Sequence, residues 1–256
     1  MTILKQYNTD MTTCPEPWVQ VINSGGKRPI LLICEHASNF IPEKYNNLGL
    51  TEQQLHSHIA WDPGALGTAT IMAQQLDAPL VASQVSRLVY DCNRPPESPT
   101  AIPLSSENQV IHGNVGLNQL SIEQRIETYY RPFETTVNQC VEAMASPVVI
   151  TIHSFTPVYL GKTREVEIGV LHDMDQRFAD AFLSKASGDQ RFNIQRNQPY
   201  APTDGVTHTL KRHALPGGLL NVMLEIRNDL ITTPEQQQKM ATYLTNIIAL
   251  ALSEHT

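Results

Sequence analysis

Six short apolar runs constrain this chain more than any other feature: "RPILLIC", "APLVAS", "SRLVYDC", "SPVVITI", "EVEIGVL" and "LLNVMLEI". Each is rich in Val, Ile and Leu and is continuous instead of alternating, the pattern of a strand covered on both faces. Helical patterns separate them. "PGALGTATIMAQQL" places Leu66, Ala69, Ile71, Ala73 and Leu76 at mostly helical spacing, and Asp77 and Pro79 follow as stop signals. "SIEQRIETYY" reads as a helix with Ser121 as N-cap and Gln124 at the capping-box position, split by Pro132 before the pattern resumes to Ala145. "TPEQQQKMATYLTNIIALAL" is capped by Thr233, carries Pro234 in its first turn and aligns Tyr243, Ile247 and Leu250. Strands alternating with helices predict an α/β fold: a single domain over 1–256 with a central, mostly parallel or mixed sheet and helices on both faces. No internal repeat or interdomain linker is visible.

Composition excludes several functions. The 256 residues carry a formal charge of -7, with no basic stripe for nucleic acid. The run "IIALAL" is far shorter than the roughly 20 apolar residues of a membrane span, and "MTILKQYNTD" lacks the basic and apolar regions of a signal peptide. Cys14, Cys34, Cys92 and Cys140 are widely spaced, as expected of reduced thiols. These features predict a cytoplasmic protein with no membrane or nucleic-acid partner; they set no oligomeric state. The stretch 93–119, with Pro95, Pro96, Pro99 and Pro103, is too long for an idle connection.

In an open α/β sheet the ligand site lies beyond the carboxyl ends of the strands. Four predicted strands end in polar residues: Glu35 and His36; Asp91, Asn93 and Arg94; His153; and Glu225 with Arg227. His36 and His153 suit zinc or a similar ion, and Asp62, ahead of a predicted helix, is a candidate carboxylate ligand. Each also has a plain structural reading, as a hydrogen-bonded strand-end His or as an N-cap Asp. Glu35 is an unsuitable partner for His36 on one ion, because adjacent strand residues point to opposite faces. Glu225, between Leu224 and Ile226, is the natural general base, since burial raises its pKa; a pair with Arg227 is the alternative. Arg94 and Asn93 offer a fork and an amide to a substrate carboxylate. Arg87, four residues before Asp91, is either a second carboxylate contact or the partner of that aspartate. Tyr200 either donates to a developing oxyanion or simply packs. His56, His58, His172, His208 and His213 take no role, and "DGVTHTLKRH" reads as a surface helix.

The blocks "CEHASNFIP", "SRLVYDCNRP", "HSFTP" and "EIGVLHD" together resemble the N-formylglutamate amidohydrolase family. The resemblance implies a relation to zinc carboxypeptidases and aspartoacylases, and a carboxypeptidase-like, phosphorylase/hydrolase-like α/β fold. It implies zinc on His36, His153 and an acidic residue, Asn93 and Arg94 on the substrate carboxylate, and Glu225 as base. The carboxypeptidase first motif is H-x-x-E, whereas His36 is followed by Ala37, Ser38 and Asn39, so the acidic ligand must come from elsewhere, with Asp62 the candidate. The expected function is a metal-dependent hydrolase removing a small acyl group, formyl among the candidates, from an N-acyl amino acid such as N-formylglutamate. A small zinc carboxypeptidase, another N-acyl amino acid deacylase, and a non-catalytic carboxylate-binding protein are the alternatives.

Overall fold

The computed structural model describes residues 18–254; Cys14 and the segment read for a signal peptide lie outside the described residues. The strands are β1 (Val19–Ile22), β2 (Ile30–Cys34), β3 (Leu80–Ser83), β4 (Ser105–Ser106), β5 (Gln109–Val110), β6 (Val148–Phe155), β7 (Val158–Tyr159), β8 (Lys162–Thr163), β9 (Ile168–Leu171), β10 (Ile194–Arg196) and β11 (Asn221–Arg227). The α-helices are α1 (Glu52–Leu55), α2 (Ala65–Gln75), α3 (Gln119–Arg125), α4 (Arg131–Glu142), α5 (Arg177–Ala186), α6 (His208–His213) and α7 (Pro234–Leu252).

Seven strands form one mixed sheet in the order β1-β3-β2-β6-β11-β9-β10, and β4–β5 and β7–β8 are separate small hairpins. The centre is parallel: β3, β2, β6 and β11 run in one direction. β1 and β9 each join the neighbouring strand antiparallel. Because successive side chains alternate in face, each continuous apolar strand feeds two cores. Leu32, Ile150, Ile152 and Leu224 pack under α2, α5 and α7 through Met72, Phe182, Leu244 and Ile248. Leu31, Ile33, Val149 and Met223 face Tyr129, Tyr130, Phe133 and Val137. The α/β class expected from the alternation of runs is the class observed.

Several local expectations are corrected. "SRLVYDC" is a turn and not a strand. Ser86 Oγ donates to Ala60 O at 2.7 Å and accepts from Leu88 N at 3.1 Å, offering the backbone partners outside a ladder. Its apolar residues Val85, Leu88, Val89 and Tyr90 are nevertheless buried. The N-cap of α3 is Asn118, whose side chain accepts from Ser121 N; a π-helical turn at Ile126–Tyr130 then leads into α4, with Pro132 in the first turn of α4. α6 is not a surface helix. Thr209, Leu210 and His213 are buried, and His213 Nδ1 lies 2.7 Å from Asn138 Oδ1. The antiparallel edge strand β1 escapes a search for continuous runs because its burial is partial. Thr233 caps α7 as expected, within a capping box completed by Gln236.

Gly169 has a positional task. It pairs with Glu225 across β9 and β11, and a Cβ there would meet Gln198 O at 1.9 Å. The missing side chain lets the segment before Tyr200 lie against the sheet beside Glu225. Gly169→Ala is therefore expected to displace this segment and lower the melting temperature by several degrees. A variant matching the parent in melting temperature would show the approach to be dispensable.

Candidate active site

β2, β6 and β11 bring their carboxyl ends to one edge of the sheet, and register decides which side chains meet there. Glu225 pairs with His153, and Ile33 pairs with Thr151, so Glu35 stands level with His153 two residues further on. By alternation Glu35, His153 and Glu225 share the face of Ile33 and Met223. The chain then leaves β2 through His36, whose carbonyl accepts from Asp62 N at 2.9 Å. Ser154 N donates to Asp62 Oδ2 at 3.2 Å, and Ser154 Oγ donates to Pro63 O at 2.9 Å. Asp62 is thus tied to both strands.

Three potential ligand atoms converge. His36 Nδ1 lies 3.2 Å from both Asp62 Oδ2 and His153 Nδ1, and His153 Nδ1 lies 2.9 Å from Asp62 Oδ2. All three residues are buried. The far nitrogens are also accounted for. His36 Nε2 is 2.8 Å from Asp91 Oδ1, and His153 Nε2 is 3.1 Å from Glu35 Oε2, an ion-pair separation without hydrogen-bond alignment. Where the far nitrogens carry protons toward these carboxylates, two Nδ1 lone pairs and a carboxylate oxygen face one point with no donor among the three. Only a cation, whether a proton or a metal ion, relieves that repulsion. Separations of about 3.3 Å are also what a tetrahedral ion with bonds near 2.0–2.1 Å requires of its ligands. The residues fit a zinc-like ion.

The electrostatics agree. Burial opposes charge on both imidazoles, yet both pKa values are raised: at His36 the carboxylates of Asp91 and Asp62 outweigh burial and Arg87, and at His153 those of Glu35 and Asp62 do so. Burial likewise opposes the charges of Asp62 and Asp91. Even so, His36 and His153 around the first, and His36 and Arg87 around the second, hold these carboxyls well below the usual range. The cage stabilises positive charge at its centre.

Around it lies a cavity of about 200 Å³ lined by Arg87, Asn93, Arg94, Tyr200 and Glu225 as well as the three converging residues. Glu225 is buried, and its Oε2 has no hydrogen-bond partner. Burial, the strongest influence, pushes its pKa up to about 7; the charge of Asp62 adds to this and His153 opposes it. Arg227 instead pairs with Glu167 and Asp229, which removes the alternative of a Glu225–Arg227 pair. Arg87 reaches Asp91 at 3.1 Å and Asp62 at 3.5 Å, so its charge is already compensated. Asn93 donates to Val206 O at 2.5 Å and accepts from Thr209 N at 3.0 Å, which ties the segment before α6 to the site. Arg94 Nη1 donates to Asn93 O and Gly205 O, and Nε to Thr100 Oγ1, so its guanidinium is held at the cavity wall. Tyr200 is half-buried; burial, then Glu225, pushes its hydroxyl up to about 12, so it remains a donor at neutral pH. One side of the cavity is closed by the β4–β5 hairpin, whose Glu107 meets His58 at 2.9 Å.

Sequence reasoning missed the parts played by Glu35 and Asp91. The face argument that set Glu35 apart from His36 is also what aims it at His153, but only the β2–β6 register says so. The turn brings Arg87 onto Asp91, a closeness that the strand expected for this segment would not give, and the contact between Asp91 and His36 has no local signature.

Comparison with known proteins converges on one family. The sequence profile of N-formylglutamate amidohydrolase matches residues 28–232, most of the chain. A solved structure of the gene product Atu2144 from Agrobacterium tumefaciens is 52% identical, with a TM-score of 0.90 over 92% of this chain and 95% of that one. The structure of N-formylglutamate amidohydrolase from Ralstonia eutropha JMP134 is 16% identical, with a TM-score of 0.59 over 93% of this chain and 97% of that one, a likeness of fold alone. No curated protein sequence matches. Among the described residues no helix is long and apolar enough to cross a membrane. With the matched residues taking in every strand end that builds the cavity, the chain belongs to the N-formylglutamate amidohydrolase family.

Proposed function

We propose that this protein is a zinc-dependent amidohydrolase that removes formyl, or a similarly small acyl group, from an N-acylated acidic amino acid such as N-formylglutamate. The observation that carries the reading is the convergence of His36 Nδ1, His153 Nδ1 and Asp62 Oδ2, each imidazole backed by a second carboxylate. At His36 the backing is a hydrogen bond, which fixes tautomer and orientation in metal sites and strengthens the ligand, and at His153 it is an ion-pair contact. The small cavity favours a small acyl group. Free thiols at Cys34, Cys92 and Cys140 favour a cytoplasmic enzyme of amino-acid metabolism.

Zinc held by His36, His153 and Asp62 would supply Lewis-acid polarisation and lower the pKa of a water toward about 7. The chain's own residues do the rest. Glu225, with a free Oε2 and a pKa near 7, takes a proton as the water oxygen bonds to the acyl carbon, and returns it to the amide nitrogen as the C–N bond breaks. The products are the free acid and the amine. The Tyr200 hydroxyl donates to the developing oxyanion. Arg94 receives the substrate carboxylate and fixes the amide against the site. Arg87 orients Asp62 and Asp91.

Elemental analysis of protein purified without added metal should find close to one zinc per chain, together with hydrolysis of N-formylglutamate. Glu225→Gln should abolish turnover while keeping the metal, and His153→Ala should lose both. A metal-free protein that stays inactive after zinc is added, or a fully active Glu225→Gln variant, contradicts the reading.

Glu225 also makes stability depend on pH once metal is stripped. Its folded pKa of about 7 lies above the ordinary carboxyl value, so the folded chain keeps a proton that the unfolded chain has released. Stability therefore falls as pH rises from the unfolded pKa through about 7. In chelator-treated protein, Glu225→Gln should be the more stable form at about pH 8, by roughly 3 kcal/mol, with the gap closing toward about pH 4. Denaturant unfolding at the two pH values checks this; a gap that widens on acidification has the wrong sign.

A further inference from the structure

A second chamber opens beside the catalytic cavity, about 580 Å³ in volume, and shares Arg94, Tyr159, Tyr200 and Val206 with it. Lys162 and Arg164 line only this outer chamber. Among the described residues neither of them, nor Arg94, pairs with a carboxylate, whereas Arg87, Arg131, Arg177, Arg191, Arg196, Arg212 and Arg227 all do. Three cations without a carboxylate partner thus line one chamber in a chain of net charge -7. The acidic group in the chamber, Asp204, accepts from Ala201 N at 2.8 Å within its own turn.

Arg164 is held for recognition. Its guanidinium carbon lies 4.6 Å from the ring centre of Tyr159, 5.0 Å from that of Tyr200 and 5.5 Å from that of Phe155. Nη1 donates to Thr156 O at 3.3 Å, and the backbone N donates to Pro157 O at 2.8 Å. Three rings fix the plane of the fork while leaving its charge unpaired, so little side-chain freedom is lost when an anion arrives. The two chambers meet at Arg94, Tyr159 and Tyr200, so a substrate side chain that extends past Arg94 reaches Arg164.

We propose that Arg164, assisted by Lys162, forms an outer anion subsite that takes the second carboxylate of a dicarboxylic N-acyl amino acid, the first being held at Arg94. The assignment rests on the hydrolase reading above and adds the residues that select for two negative charges. Arg164 is a specificity residue: it touches the far end of the substrate and not the reacting atoms.

Two measurements on the full-length protein test it. In the zinc-loaded enzyme, the ratio of kcat/KM for N-formylglutamate over N-formylglutamine should fall at least tenfold in Arg164→Gln, mainly through KM for the dicarboxylate, and Arg164→Lys should restore part of it. Equal losses on both substrates, or no loss on either, overturn the subsite. Calorimetric titration with glutarate, a dicarboxylate without an amide, reads the same site without turnover. Arg164→Gln should weaken glutarate binding at least tenfold and butyrate binding much less. If the parent protein hydrolyses neither formyl substrate but shows this glutarate pattern, the hydrolase reading fails and the subsite stands. If the parent does not bind glutarate, the subsite fails whatever the activity.

Discussion

The contacts on which the rest of the site depends are those behind the two imidazoles, Asp91 on His36 and Glu35 on His153. They leave both Nδ1 atoms facing Asp62. They also concentrate charge where burial makes it expensive: Glu35, Asp62, Asp91 and Glu225 are all buried within reach of one cavity, with Arg87 paired to Asp62 and Asp91 and Arg94 at the cavity wall. Buried carboxylates persist only when paired, protonated or bound to metal. Here Asp62 and Asp91 are paired, Glu225 is poised near neutrality, and the centre is left calling for one more positive charge. The zinc proposal answers that demand.

The sheet delivers this arrangement through register. Glu35, His153, Glu225 and Gly169 form one row across β2, β6, β11 and β9, so three polar side chains and one vacant position lie side by side at the strand ends. The apolar residues of the two cores hold the row in place, since a one-residue slip of β6 would turn His153 to the opposite face. Loops then complete it: the turn after β2 brings Asp62, the turn after β3 brings Asp91 and Arg87, and the segment after β10 crosses Gly169 to bring Tyr200.

Much of this frame was legible in the sequence. The runs "ILLIC", "VVITI" and "NVMLEI" could be read as buried strands because burial on both faces removes any alternation, and this placed His36, His153 and Glu225 at one edge. Asp62 could be named as a candidate only from its place ahead of a predicted helix, since nothing local shows how far it lies from either histidine. What could not be read depends on contacts distant in sequence. "SRLVYDC" is as apolar as a strand, yet Ser86 satisfies the backbone of a turn instead. Glu35 finds His153 only through the pairing of β2 with β6. Arg164 gains its aromatic cage only when the β7–β8 hairpin folds over the cavity beside Tyr200. Asn93, expected to face substrate, spends its amide on Val206 and Thr209, a demand set by a segment more than a hundred residues away.

The central claim is that both histidines present Nδ1 to a metal while their Nε2 atoms stay protonated toward Glu35 and Asp91. Nitrogen NMR of protein with isotope-labelled histidine, recorded as zinc is added to chelated protein, tests it directly. The account predicts that the Nδ1 resonances of His36 and His153 move together to metal-bound positions at one equivalent, with Nε2 remaining protonated. Coordination through Nε2, or no response of either ring to zinc, would contradict it.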